Sequence, residues 1–307
     1  MVKQAYKYVV VILVLALVAL PACGSPAPIT IQVTDQMGRL VGLTEAPTKI
    51  VSLDPGVTEV LYALGLSDRV AGVSNDSDFP IEVFDKTRVG DSVIVDWEQM
   101  KRISPDLVII SSYSADYILP DLEKRGLTTL ALAPANLEEV MEAITLVGEI
   151  TERQVEAAQL VAELRDRIQA VADKTDAIPE NQRPTVFYMA YLSPIITVGS
   201  GTIEDELIQR AGGINVAGDM EGYNQIKISD IIDANPQVMI SMFQIKIGGE
   251  NEEYDFLSTD PELEDTDARR DGRVWSVWDV AMSRMGPRLV DGLEELQMLI
   301  HLNLSSS

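Results

Sequence analysis

The chain has 307 residues, a formal net charge of −24 and 46% hydrophobic residues. This acidity argues against a nucleic-acid-binding protein, because such proteins present basic patches to phosphates, and a single cysteine excludes an internal disulfide framework. The hydrophobic content is sufficient for buried cores, and the length predicts two compact domains.

The N-terminal segment has the parts of a secretory signal peptide. Lys3 and Lys7 supply positive charge, and the apolar run at 9–20 is shorter than the about 20 residues of a membrane-spanning helix. Leu20-Pro21-Ala22-Cys23 then matches the bacterial lipobox, in which the cysteine carries a diacylglycerol. We predict a lipoprotein signal at 1–22 and a lipid on Cys23 that anchors the protein to the extracytoplasmic or periplasmic membrane face. A cleaved signal without a lipid and an uncleaved anchor are the alternatives.

Strand and helix signals alternate through residues 49–150, the predicted N-terminal lobe. Residues 23–48, which precede it, are predicted to hold the lipidated cysteine, a tether and two edge strands. The lobe's signals are strands at 50–53, 70–73, 107–110 and 127–132, with helices at 58–64, after the capping box at Asp96, and at 121–125. This alternation is typical of α/β folds, and fully apolar strands are typical of parallel sheets covered on both faces.

One long helix is predicted to follow. A helix from Asn136 weakens at Gly148, and the capping box at 151–154 opens a stretch without Gly or Pro, so residues 151–175 are predicted to join the two lobes and to limit hinge motion. The C-terminal lobe, 176–307, is predicted from a strand at 185–191, a helix at 202–210, an acidic surface loop at 246–267, a strand at 274–277 and a final helix striped by Leu289, Leu293, Leu296 and Ile300.

The second lobe repeats the order of the first. Ser104-Pro105 and Asn235-Pro236 each stand between a helix and an apolar strand that contains serine. The predicted fold class is therefore α/β, with two α/β lobes built on central, mostly parallel sheets, a single long backbone helix between them, and a ligand cleft where they meet.

Catalytic chemistry is hard to build from this chain. His301 is the only histidine and lies in the last helix, so no Ser-His-Asp or Cys-His arrangement and no histidine-rich zinc site is available. Gly199 to Thr202 resembles half of a phosphate loop but lacks its lysine, which favours a tight turn. We predict no enzymatic activity, no metal and no cofactor. The rival classes are an enzyme on this scaffold and a purely structural surface lipoprotein.

The loops that follow strands are the candidate ligand contacts, because ligands of open α/β sheets bind beyond the carboxyl ends of the strands. Aromatic side chains recur in these loops, and apolar rings with few polar anchors suit a bulky organic ligand. For each ring taken alone, core packing is the alternative. The candidates are Asp54, Pro55, Gly56, Asp76, Ser77, Phe79, Ser92, Tyr113, Tyr191, Tyr223, Phe243 and Trp278.

Several stretches resemble the helical-backbone periplasmic substrate-binding proteins of vitamin B12 and ferric siderophore importers. The matching stretches are Val51-Ser52-Leu53-Asp54-Pro55, Gly72-Val73-Ser74 with Asp78-Phe79-Pro80, Ile103 to Val108, Ala211-Gly212-Gly213-Ile214-Asn215 and Gly286 to Glu294. The stretch Gly72-Val73-Ser74 with Asp78-Phe79-Pro80 is most similar to the cobalamin branch of the family. The resemblance implies a monomer that binds cobalamin or a related corrinoid and delivers it to an ABC permease with its ATPase subunits. A ferric siderophore or haem is the alternative ligand.

The resemblance also implies one acidic residue on each lobe that docks onto the permease. Spacing from Pro105 assigns Glu98 to the first position, whereas the same spacing from Pro236 reaches Ser229, with Asp230 adjacent. We therefore expect docking by Glu98 and Asp230. Asp76 and Ser92 stand where the cobalamin branch often carries aromatic residues, while Tyr223 matches an expected aromatic position.

Overall fold

The computed structural model describes residues 30–243 and 251–302. The predicted signal peptide and Cys23 lie outside these ranges. Across the described part of the chain, no helix combines the length and apolarity needed to cross a lipid bilayer.

The first lobe is built on a five-stranded sheet that is parallel throughout, in the order β5-β4-β3-β6-β7. The hairpin β1–β2 lies apart from it as a two-stranded sheet. The strands are β1 Ile31–Thr34, β2 Leu40–Leu43, β3 Ile50–Ser52, β4 Val70–Val73, β5 Thr87–Arg88, β6 Leu107–Ser111 and β7 Thr129–Leu132. The helices are α1 Pro55–Ala63, α2 Trp97–Ile103, α3 Ser112–Lys124 and α4 Leu137–Thr151.

Helix α1 begins earlier than the predicted 58–64. The side chain of Asp54 caps its N-terminus by accepting from the Val57 amide at 3.0 Å, and Pro55 occupies the first turn. Proline is favoured there, since its missing N–H would have no partner in the helix anyway. The Pro55-Gly56 pair therefore follows the end of β3 and forms the first turn of this helix.

Helix α3 corrects the prediction of a short helix at 121–125. It starts directly after β6 and continues through Pro120. Its first turns are polar, which made them resemble a loop, but Ile118, Leu119 and Leu122 bury the face that packs on the sheet. Burial of this face outweighs the local cost of the proline.

The predicted capping box at 151–154 is wrong. Thr151 is the last residue of α4, where its hydroxyl donates to the Val147 carbonyl, and Glu152 takes a left-handed conformation between two helices. Helix α5, Gln154–Thr175, follows and joins the lobes; its 22 residues span about 33 Å. Gly148 lies inside α4 and does not end it. Glycine is required at this position because a Cβ would lie 2.4 Å from the Cβ of Ala157 on α5.

The second lobe carries a mixed sheet in the order β11-β9-β8-β12-β13, with β10 pairing with β8. The β8–β12, β12–β13 and β8–β10 pairs are parallel, and β9 and β11 are antiparallel additions. The strands are β8 Thr185–Tyr191, β9 Ile196–Val198, β10 Ile214–Asn215, β11 Tyr223–Gln225, β12 Val238–Phe243 and β13 Val274–Trp278. The helices are α6 Ile203–Arg210, α7 Ile228–Ala234, α8 Glu252–Thr259, α9 Asp267–Arg270, α10 Asp279–Ser283 and α11 Leu289–His301.

The acidic insertion predicted as a surface loop is largely helical in its described part. Helix α8 and the 3-10 turn Pro261–Leu263 follow residue 250, and the side chains of Leu257 and Leu263 are fully buried beside the second sheet. The many acidic residues conceal these apolar anchors in the sequence pattern. The insertion therefore contributes to the core of the second lobe.

The internal repeat is confirmed in detail. Helices α2 and α7 each have seven residues, and each ends on a left-handed residue, Ser104 or Asn235. A proline and a central strand follow in both lobes. The expected two-lobed α/β fold with a single connecting helix is thus present.

Candidate ligand-binding cleft

A cavity of about 350 Å³ lies where the two lobes meet. The first lobe lines it with residues that follow the carboxyl ends of β3, β4, β6 and β7, including Asp54, Asp76 and Tyr113. The second lobe supplies Ser283, Arg284 and Met285, from the end of α10 and the turn after it. This is the position that parallel α/β sheets favour for ligands, and we call this space the cleft.

The cleft gathers half of the predicted contacts. These are Asp54, Pro55, Gly56, Asp76, Ser92 and Tyr113. Burial raises the pKa of the Asp54 carboxyl, and hydrogen bonds from the backbone of Val57 and Gly56 and from the Ser111 side chain oppose that shift. Asp54 is therefore fixed by α1 and is pre-organised as an acceptor at the edge of the cleft.

Two predicted contacts lie elsewhere in the first lobe. Ser77 is buried, and its hydroxyl lies 3.0 Å from those of Thr58 and Ser74, so it stabilises the loop after β4 and does not line the cleft. Phe79 lines a different cavity, where the guanidinium of Arg288 lies 4.4 Å from the ring centroid. Sequence position gives the loop but not the direction of each side chain, and contact of these two residues with a ligand stays a prediction.

The aromatic residues predicted in the second lobe lie outside the cleft lining. Phe243 and Trp278 end the neighbouring strands β12 and β13, with ring centroids 5.2 Å apart in an edge-to-face arrangement. Tyr191 ends β8, and Tyr223 lies on β11, both with exposed rings. Their contact with a ligand stays a prediction.

Tyr223 has a defined polar partner. Its hydroxyl donates to the Glu204 carboxylate at 2.9 Å, and Glu204 is buried in the first turn of α6. Burial raises the pKa of Glu204 and that of Tyr223. This bond fixes the phenol, while the side chain remains largely exposed.

Three consecutive residues form the second-lobe wall of the cleft. Ser283, Arg284 and Met285 precede the Gly286-Pro287 break between α10 and α11, and that break was the signal available. The guanidinium of Arg284 bonds to the Asp78 carboxylate of the first lobe, with Arg284 Nη2 to Asp78 Oδ2 at 3.0 Å. This cation is therefore already paired.

The two lobes meet backbone to backbone beside the cleft. A Cβ on Gly56 would lie 2.9 Å from the Met285 carbonyl oxygen, and one on Gly286 would lie 3.0 Å from the Gly56 carbonyl oxygen. Only glycine allows such an approach at both positions. These two glycines therefore set the separation of the lobes.

A buried ion pair strengthens the same contact. Arg288 Nη2 of the second lobe lies 2.5 Å from Glu59 Oε1 of α1, whose side chain is 2% exposed. Burial raises the pKa of the Glu59 carboxyl, and the hydrogen bond and charge of Arg288 oppose that shift. The pair ties the first lobe to the turn before α11.

The two predicted docking acids lie on equivalent helices. Glu98 is the second residue of α2 and is exposed; its carboxylate has no hydrogen bond or ion pair to other described residues. Ser229 occupies the same position of α7. The neighbouring Asp230 uses Oδ2 to accept from the Lys227 amide at 2.8 Å, which stabilises the helix end.

Comparison with known proteins gives a consistent result. A family model described as "Periplasmic binding protein" matches residues 50–279. A Bacillus subtilis protein, the "Uncharacterized ABC transporter substrate-binding lipoprotein YvrC", is 32% identical over 94% of this chain and 95% of its own length.

Two solved structures share the fold. The periplasmic vitamin B12 binding protein BtuF of Vibrio cholerae has a TM-score of 0.70 and 25% identity, over 83% of this chain and 97% of that one. The periplasmic heme-binding protein RhuT from Roseiflexus has a TM-score of 0.71 and 25% identity, over 82% and 97%. The resemblance inferred from the motifs is thus confirmed: the chain belongs to the periplasmic binding protein family.

Proposed function

We propose that this protein is the substrate-binding component of an ABC importer and that it captures a corrinoid in the cleft. The choice of a corrinoid as the ligand rests on the charges that line the cleft. Among the described residues that line it, Arg284 is the only Lys or Arg, and Asp78 already neutralises it. Anionic ligands usually recruit unpaired cations to their site, whereas a corrinoid offers an apolar ring and amide groups.

The shape of the site supports a large ring system. A ligand larger than the 350 Å³ cleft would extend beyond it. Exposed aromatic rings lie at the edge of the cleft and on the second lobe. Tyr113 is 62% exposed and packs against Tyr117 with centroids 5.6 Å apart. Flat aromatic faces suit a macrocycle, and Asp54 and Asp76 supply acceptors for its amides. Titration with cyanocobalamin tests this assignment.

Haem is the second candidate. The likeness to a haem-binding structure is as strong in identity as that to the vitamin B12-binding one. Exposed tyrosines such as Tyr113 and Tyr191 carry phenol oxygens, which can serve as axial ligands of haem iron. The scarcity of unpaired cations in the cleft favours the corrinoid over the propionate-bearing haem.

Delivery to the permease should depend on the docking acids. We expect Glu98→Ala to lower corrinoid uptake by intact cells about tenfold, since a hydrogen bond to a charged group contributes about 1.5–3 kcal/mol. Asp230→Ala should have a smaller effect, because its carboxylate is partly occupied at the helix end. Glu163→Ala on α5 is a matched surface control. Unchanged uptake with both Glu98 and Asp230 replaced would refute the docking role.

We propose that Cys23 carries the lipid anchor. The lipoprotein named in the comparison and the lipobox both support this assignment. Cys23→Ser should move the protein from the membrane fraction to the soluble extracytoplasmic fraction, because on this proposal the acyl chains on Cys23 are what holds the protein on the membrane. Fractionation and immunoblotting measure this, and a Cys23→Ser protein that stays on the membrane and still incorporates labelled fatty acid contradicts it.

A further inference from the structure

A second cavity lies at the junction of the two lobes, on the other side of α1 from the cleft. Its volume is about 580 Å³, within the range of known small-molecule sites. Glu59, Tyr62 and Ala63 face it from α1, whereas Gly56 and Val60 of the same helix face the cleft. Pro287 and Arg288 line it from the second lobe. We call this space the seam cavity.

Three buried polar atoms of its lining have no hydrogen-bond partner among the described residues. They are Glu59 Oε2, the Tyr62 hydroxyl and Arg288 Nε. The Glu59 side chain is 2% exposed, and its other oxygen is held by Arg288. Buried polar groups normally have a hydrogen-bond partner, since a buried group without one costs about 1–3 kcal/mol. One carboxylate oxygen, one phenol that can donate or accept, and one N–H donor therefore lack partners around a single cavity.

The charges around the seam cavity favour a cation over an anion. Glu82 and Asp85 add exposed carboxylates to its rim. The two basic residues of the lining are engaged: Lys86 Nζ donates to the Ser67 carbonyl at 2.7 Å, and Arg288 pairs with Glu59. A metal ion does not fit, because the described residues contain no group of three or more His, Cys, Asp or Glu arranged to hold one. The ligand should thus carry an organic ammonium group.

The walls define the rest of the ligand. The rings of Tyr62, Phe79, Pro80 and Pro287 and the methyl of Ala63 line the cavity between its polar points. Such walls suit a short aliphatic chain. The N–H of Arg288 Nε has no partner and can donate to an acceptor on the ligand. A neutral acceptor such as a hydroxyl fits best, because the acidic residues of the rim would repel a carboxylate.

We propose that the seam cavity binds a small aliphatic amino alcohol, whose ammonium donates to Glu59 and Tyr62 and whose hydroxyl accepts from Arg288. Such a ligand touches both lobes, and it is distinct from the cargo of the cleft. The site does not depend on which large ligand the cleft holds.

Isothermal titration calorimetry of the full chain in mild detergent with 5-amino-1-pentanol tests this site. At about 0.15 M salt, which screens exposed charges, we expect saturable one-to-one binding in the millimolar range or tighter. Pentane-1,5-diol, which has no charge, should not bind. Pentylamine, which lacks the hydroxyl, should bind more weakly.

Matched variants separate the seam cavity from general attraction to an acidic chain. Glu59→Gln should weaken binding about tenfold or more, while Glu163→Gln, with the same charge change on exposed α5, should leave it unchanged. Tyr62→Phe removes one acceptor, and Ala63→Met fills the cavity from an exposed helix position. Both should weaken binding even if Glu59→Gln folds poorly. Unsaturable heats, or equal affinities of wild type, Tyr62→Phe and Ala63→Met, overturn the proposal.

Discussion

Arg288→Met should lower the free energy of unfolding by about 3 kcal/mol at pH 7, because it leaves the Glu59 carboxylate buried without its main counter-charge. Arg284 Nη1, 3.8 Å from Glu59, compensates in part, so the expected value is at the lower end of the usual range for broken buried pairs. In a protein of this size, thermal denaturation should show a decrease in Tm of about 5 °C.

Two controls isolate this effect. Arg167→Met removes an exposed arginine that pairs with Asp291 and Glu294, and it should cost less than about 1 kcal/mol. The double variant Glu59→Leu with Arg288→Met removes both charges and should recover most of the stability. An Arg288→Met loss no larger than that of Arg167→Met contradicts a structural role for the buried pair.

The sign of the pH dependence follows from Glu59. Its pKa is already raised by burial, so its ionised form opposes folding, and that opposition grows when Arg288 is absent. Below the ordinary glutamate pKa of about 4.3, Glu59 is protonated in both folded and unfolded states, and the deficit of Arg288→Met should disappear. The deficit should reappear as the pH rises towards neutrality.

Gly56→Ala should weaken corrinoid binding by about five- to 150-fold. The new methyl would meet the Met285 carbonyl oxygen at 2.9 Å, so the lobes must separate by a few tenths of an ångström. Overpacking of this kind costs about 1–3 kcal/mol, which corresponds to that range when the ligand requires the closer arrangement. Equilibrium binding measures the change.

Two other glycines serve as comparisons. Gly286→Ala acts on the reciprocal contact, at 3.0 Å from the Gly56 carbonyl oxygen, and should have a similar effect. Gly218→Ala lies in the second lobe, where the added Cβ comes no nearer than 3.2 Å to another atom, and should leave binding almost unchanged. Wild-type affinity in both Gly56→Ala and Gly286→Ala would mean that the separation of the lobes does not govern capture.

Local signals in the sequence were sufficient for the central strands and the connecting helix. The apolar run of β6 and the stretch of α5 without Gly or Pro both predicted the observed elements. Errors occurred where tertiary packing decides the ends of helices. Thr151 is a residue type favoured at helix N-termini, yet it is the last residue of α4, and Pro120 lies inside α3. Neither outcome can be read from residues near in sequence.

The site was predictable only in part, for a similar reason. Asp54 and Tyr113 directly follow strands, so the rule on carboxyl ends assigns them to the cleft. Glu59 and Arg288 are 229 residues apart, and no local pattern joins them. Phe79 was assigned to the cleft by its loop, yet its ring faces Arg288 on the other side of α1.

Calorimetric titration of the protein with cyanocobalamin tests the central claim most directly, with haem and a ferric siderophore as parallel ligands. The paired state of Arg284 predicts saturable corrinoid binding at micromolar or lower concentration, with much weaker binding of the anionic ligands. Clear binding of haem or siderophore without corrinoid binding would contradict the ligand assignment and leave only the family and its fold.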